Sequence, residues 1–158
     1  AAAFTMEELP LPQERATWTG AVQELLAGAG GMVFGLYRGG PGVTLLRPRS
    51  GYDFARHLRP ETSPLIADLD VTVLHQGILA GLLGLEEQRL VQGGGIRFCS
   101  KAEDAAAEVE AGRGAAAFFL RPSRMDQVWR IATAGVRMPQ KSTNFYPKLI
   151  SGLVFNEL

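Results

Sequence analysis

Between Met32 and Arg47 the chain reads MVFGLYRGGPGVTLLR, two short β-rich runs on either side of a glycine-proline turn. Gly39, Gly40 and Gly42 tolerate turn angles that side chains resist, and Pro41 presets its own φ, so the two runs are expected to fold back on each other as a hairpin. A lone hairpin is marginal in water, so the remaining segments must supply further strands and apolar helices. The order of the other elements therefore decides the fold.

The first segment, AAAFTMEELP, is apolar and strand-like, and Pro12 suits the first turn of a following helix. Trp18, Ala21, Val22, Leu25, Leu26 and Ala29 recur at helical spacing and stop at Gly28, Gly30 and Gly31. After the hairpin, residues 48–64 carry turn residues and charges with little periodicity, which predicts a surface connection. IADLDVTVLHQGILAGLLGL then holds a stripe of Val71, Leu74, Ile78, Leu82 and Leu85, widened by Leu79 and Leu83. That stripe predicts a buried helix, with Asp68 and Asp70 at the end where the macrodipole favours anions.

GGGIRFCS predicts a glycine turn and a short strand. Ser100 and Glu103 form an S-x-x-E capping box opening an alanine-rich helix that closes at Gly112. GAAAFFLRP has strand length and is stopped by Pro122. Ser123 is placed to cap a helix with Met125, Val128, Trp129 and Ala132 on one face and Gly135 at its end. SGLVFNEL reads as a last strand. The expectation is one α+β domain over residues 1–158, a mixed β-sheet covered by about four helices.

At 158 residues a single core is well supported. Sixteen basic residues balance sixteen acidic ones, without the basic excess that phosphate neutralisation demands of a duplex-binding domain. The single cysteine, Cys99, makes neither an intrachain disulfide nor a multi-thiolate zinc site, and fits a reducing, cytoplasmic setting. No apolar run approaches the roughly 18 residues of a membrane span. The start has neither an initiator methionine nor a signal-peptide pattern, so the expectation is a fragment of a longer protein.

Several candidate motifs reduce to simpler roles. GGPG, GAGG and GGG fit no phosphate-loop pattern and read as turns. His57 lies in a charged irregular stretch, and His75 falls on the apolar stripe as a hydrogen-bonded core residue. Asp68 and Asp70, two apart, point in different directions on a helix, so capping accounts for them better than acid/base or magnesium chemistry. Arg97 and Lys101 flank Cys99 and would lower its pKa, though a lone cysteine is usually a small buried apolar residue. Arg113, Arg121 and Arg124 read as solvated ends of a buried strand. Two histidines and dispersed carboxylates give a metal site little support.

RMPQKSTNFYPK, residues 137–148, is different. Arg137, Lys141 and Lys148 supply charge, Ser142 and Thr143 supply adjacent hydroxyls, and Phe145 and Tyr146 supply rings. Such donors surround a phosphate or carboxylate, and Pro139 and Pro147 reduce the entropy lost when a ligand is gripped. The competing reading is a proline-pinned loop whose aromatics fill the core and whose lysines stay wet. The candidate ligand set is Arg137, Lys141, Ser142, Thr143, Phe145, Tyr146 and Lys148.

MPQKSTNFYPKLISGLVF, with AAAFFLRPS and LDVTVLH upstream, resembles the C-terminal half of a bacterial and archaeal family catalogued as domain of unknown function 1015 and sometimes labelled as related to SpoOJ and ParB. The likeness runs from about Leu69 to the end, more loosely over the hairpin, and is most specific at Met138-Pro139, Lys141-Ser142-Thr143 and Phe145-Tyr146-Pro147-Lys148. Val136 and Asn144 depart from the family's usual acidic and aromatic residues at those positions. Longer family members carry an Asp-Gly-His-His-Arg motif, similar to that of ParB/sulfiredoxin-fold proteins, which include free serine kinases; this chain lacks it. The resemblance implies a C-terminal domain whose partner is the N-terminal part of the same protein. It implies an amino-acid-kinase-like phosphotransfer site completed or regulated by the loop, a phosphorylated small molecule or nucleotide as ligand, and no turnover by the chain alone. Two other functions stay open: a ParB-related nucleic-acid module, which the balanced charge disfavours, and a non-catalytic packing or dimerisation domain, which would make the chain a homo-oligomer.

Overall fold

The hairpin forms where the turn residues place it. In the computed structural model, which describes residues 3–85, 95–139 and 142, β2 (Phe34–Tyr37) and β3 (Gly42–Pro48) pair antiparallel, with Phe34 opposite Leu46. Gly39 and Gly40, at φ +96° and +95°, turn the chain in a conformation that a β-carbon would oppose. β1 (Phe4–Pro10) lies along the other edge of β3, and β4 (Ala117–Phe119) along the other edge of β2. The order is β1-β3-β2-β4, and every described pairing is antiparallel, where a mixed sheet was expected. The strand expected over 151–158 lies outside the described residues.

Alternation along the strands sends side chains to two apolar layers. On one face Tyr37, Val43, Leu45 and Phe119 meet Trp18, Val22 and Leu26 of α1 (Trp18–Gly28) and Ala102 and Ala106 of the fourth helix. On the other face Phe4, Phe34 and Leu46 meet Phe54 and a long helical segment through Val73, Leu74, Ile78 and Leu79. Leu26, Val33, Phe34 and Tyr37 are fully buried; each such large apolar side chain contributes about 1.5–3 kcal/mol over the exposed state. The class is α+β, as the element order predicts, with helices on both faces of the sheet.

The connection after β3 contains a short 3-10 turn, Ala55–His57, and α2 (Pro64–Ala67), whose cap Ser63 accepts from the Leu65 N–H. α3 begins as one α-turn, Asp70–Thr72, and continues as a π-helix, Val73–Leu82. The wider π-turn shifts successive side chains around the axis relative to an α-helix. Val73, Leu74, Gly77, Ile78 and Leu79 are therefore buried, while Leu82, Leu83 and Leu85 of the expected stripe are exposed.

Ile96–Cys99 is irregular rather than the expected strand. α4 (Ala102–Glu110) follows, and Gly112, at φ +70°, ends it as expected. Its capping differs. Thr19, on α1, accepts from the Ala102 N–H at 2.8 Å and donates to Glu103 Oε2 at 2.5 Å, taking both parts expected of Ser100. α5 (Met125–Thr133) buries Ile131, while Met125 and Trp129 are 64% and 74% exposed. The face formed by Met125, Val128, Trp129 and Ala132 is thus largely exposed.

Candidate functional site

β4 leads into a connector that ties three parts of the molecule together. Arg121 donates from Nε and Nη2 to the two oxygens of Asp70 at 2.9 and 3.1 Å, a bidentate pair with both side chains more than two-thirds buried. This joins the exit of β4 to the first turn of α3, and it replaces the solvated-end reading of Arg121. Arg124 pairs with Asp126, and its N–H donates to Gln127 Oε1 at 3.1 Å, so the cap of α5 lies one residue beyond Ser123.

Ser123 is released from capping and turns to the chain beyond α5. Its hydroxyl donates to the Ser142 carbonyl at 2.6 Å. The helix ends at Gly135, φ +69°, and the Val136 N–H donates to Ile131 O. Arg137 leaves the helix exposed, with no carboxylate partner among the described residues. Both the N–H and the hydroxyl of Ser142 donate to the Pro139 carbonyl, closing a small turn.

Of the expected ligand set, the structure therefore places Arg137 and Ser142; Lys141, Thr143, Phe145, Tyr146 and Lys148 lie outside the described residues. Ser142 has a changed role. A hydroxyl has one proton, and here it serves the turn, so toward an anion Ser142 acts as a loop former. Ser123 was missed as part of the site because a contact across nineteen residues leaves no local pattern in the sequence.

The other candidates resolve individually. Asp70 holds Arg121, and Asp68 lies 3.9 Å from Arg130, so the two carboxylates serve different arginines. Cys99 is exposed rather than buried, and its thiol is pushed up by desolvation, then by Asp104 and Glu108, against the opposing pull of Arg97. The expected lowering is reversed. His75 is buried, 6.1 Å from the Phe98 ring. His57 has partners that the sequence did not suggest, Tyr52 and Arg56.

Tyr37 is buried with its hydroxyl 2.6 Å from Glu110 Oε1, and burial first, then that hydrogen bond, pushes its pKa up to about 12. Arg15 and Tyr37 in turn hold Glu110 below the usual carboxylate range. This is a structural lock between α4 and β2. A groove of about 640 Å³ lies between β1, β3 and α1, lined by Leu9, Leu11, Leu25 and Leu45 with Glu24 and Arg47; neither Arg137 nor Ser142 lines it. Among the described residues no three His, Cys, Asp or Glu side chains gather as a metal-binding group, and no helix is long and apolar enough to cross a membrane. No family model matches the chain, and neither does any curated protein or solved structure.

Proposed function

We propose that this chain is the C-terminal domain of a longer protein, related to domain of unknown function 1015, and that it binds a phosphate-bearing small molecule through residues 137–148. There it completes or regulates a small-molecule, amino-acid-kinase-like phosphotransfer site. Phosphoryl transfer depends mainly on positioning and charge stabilisation, so a contributed cationic loop is a substantial part of such a site. Lys141, Lys148 and Arg137 neutralise charge, Thr143 donates a hydrogen bond, and Phe145 and Tyr146 shield the ligand from water.

The observation that supports this reading best is the Ser123–Ser142 hydrogen bond, which ties the segment at Ser142 to the β4–α5 connector. An anchored loop loses less entropy when it closes on an anion. Arg137 remains exposed beside it, and Arg121 braces the connector through Asp70. To test it, ATP, ADP and phosphoserine are titrated while backbone amide shifts are followed. Saturating shifts at 137–148 and Ser123 are expected; shifts confined to other segments reject the assignment.

The packing or dimerisation reading has its own support in the exposed Met125 and Trp129 on one face of α5. Concentration-dependent sedimentation abolished by Trp129→Ser, with no response to phosphorylated ligands, would favour it over the ligand-binding reading.

A further inference from the structure

Arginines elsewhere in the described residues mostly face carboxylates, as Arg15, Arg47, Arg113, Arg121 and Arg124 do. The connection between β3 and α2 departs from this. Arg49, Arg56 and Arg59 are exposed and have no carboxylate partner among the described residues. The acids within that stretch are Asp53, which accepts from the Ala55 N–H at 2.8 Å, and Glu61, which no ion pair joins to these arginines among the described residues. Three guanidiniums against two carboxylates leave a net positive charge on a short surface segment.

Arg56 is also held still. Its Cζ lies 4.4 Å from the centroid of the Tyr52 ring, and its Nε donates to His57 Nε2 at 3.2 Å. Tyr52 Oη, 3.1 Å from the same nitrogen, braces the imidazole. His57 in turn sits flush on the π-helix: a β-carbon at Gly81 would stand 2.6 Å from its Cγ. Further along, the Arg59 N–H donates to Gln76 Oε1 at 2.8 Å, which fixes the backbone there. With its face stacked and Nε engaged, Arg56 presents the Nη1/Nη2 edge to solvent with no acceptor among the described residues. That edge offers parallel N–H donors matched to two oxygens of one anion.

We propose that Arg56, with Arg59 and Arg49 adding charge, forms an anion site on the β3–α2 connection that takes the phosphate group of a monoester, separate from the loop at 137–148. A phosphate monoester, with up to two negative charges and three acceptor oxygens, engages three guanidiniums more fully than a single carboxylate does. Tyr52 carries Arg56 on its ring and has Phe54 4.7 Å away between centroids, so it offers no open platform for a nucleobase. Recognition is therefore by the phosphate, whether it arrives as the free ion or on a small molecule.

The experiment is a titration of the whole chain with inorganic phosphate, phosphoserine, AMP and, as a control at equal ionic strength, acetate, following the Arg56 side-chain N–H and His57 ring signals. Saturating shifts with all three phosphates, AMP no tighter than phosphoserine, and no saturation with acetate are expected. Arg56→Ala should weaken binding by about tenfold, and Arg56→Lys by several-fold for want of the paired donors. Lys141→Ala with Lys148→Ala should leave these signals unchanged, which separates this site from the loop. Arg56→Ala titrating like the parent chain, or equal shifts at the exposed Arg38 and Lys101, would overturn the proposal.

Discussion

Thr19 sits in the first turn of α1, yet its hydroxyl caps α4 across eighty-three residues. Removing a side-chain cap typically costs about 1 kcal/mol, so Thr19→Val should lower stability in urea by roughly 1–2 kcal/mol, since it also strands Glu103. Ser100→Ala, at the position the sequence favours for the cap, should change stability by less than about 0.5 kcal/mol. The ionised side chains make a second statement. Glu103, Glu108, Glu110 and Asp126 all have folded pKa values lowered chiefly by side-chain hydrogen bonds: Thr19 for Glu103, Arg113 for Glu108, Arg15 for Glu110 and Arg124 for Asp126. Their stabilisation is complete above the unfolded carboxylate pKa and is lost as pH falls through the lower folded values. Tyr37 acts at the other extreme, contributing fully below 10 and losing its contribution as pH rises toward about 12. Urea midpoints measured across pH should thus fall on the acid side below about pH 4, and Glu110→Gln should blunt that fall.

At the scale of elements, the π-helix is the feature that the apolar stripe misrepresented. A count of leucines at helical spacing assumes α geometry, and i→i−5 bonding moves the register enough to expose Leu82 and Leu83. Gly77 and Gly81 let Phe54 and His57 approach its backbone closely. Gly81→Ala should therefore cost about 1–3 kcal/mol through overpacking, with the loss appearing as displaced His57 signals. α5 is a parallel case. Ile131→Ala should cost about 2–5 kcal/mol, whereas Trp129→Ala should change stability by about 0.5 kcal/mol or less, the reverse of the order suggested by the sequence face. The hairpin, α1, α4 and α5 were legible because turn glycines and helical spacing are local signals. The caps were not, because Thr19 and Ser123 act on partners distant in sequence.

Across the whole molecule, an antiparallel sheet fixes where β4 ends, and Arg121 with Asp70 fixes how its connector leaves toward α5. The loop was recognisable in sequence as a concentration of donors, but its attachment through Ser123 needed the fold. The central claim is that this attached loop grips a phosphate. Calorimetric titration of phosphoserine into the parent chain, the Lys141→Ala/Lys148→Ala double variant and Arg56→Ala tests it most directly. The account predicts two classes of site in the parent, the one assigned to the loop lost in the lysine variant and retained in Arg56→Ala. Phosphoserine heats identical in the parent and the lysine variant would contradict it.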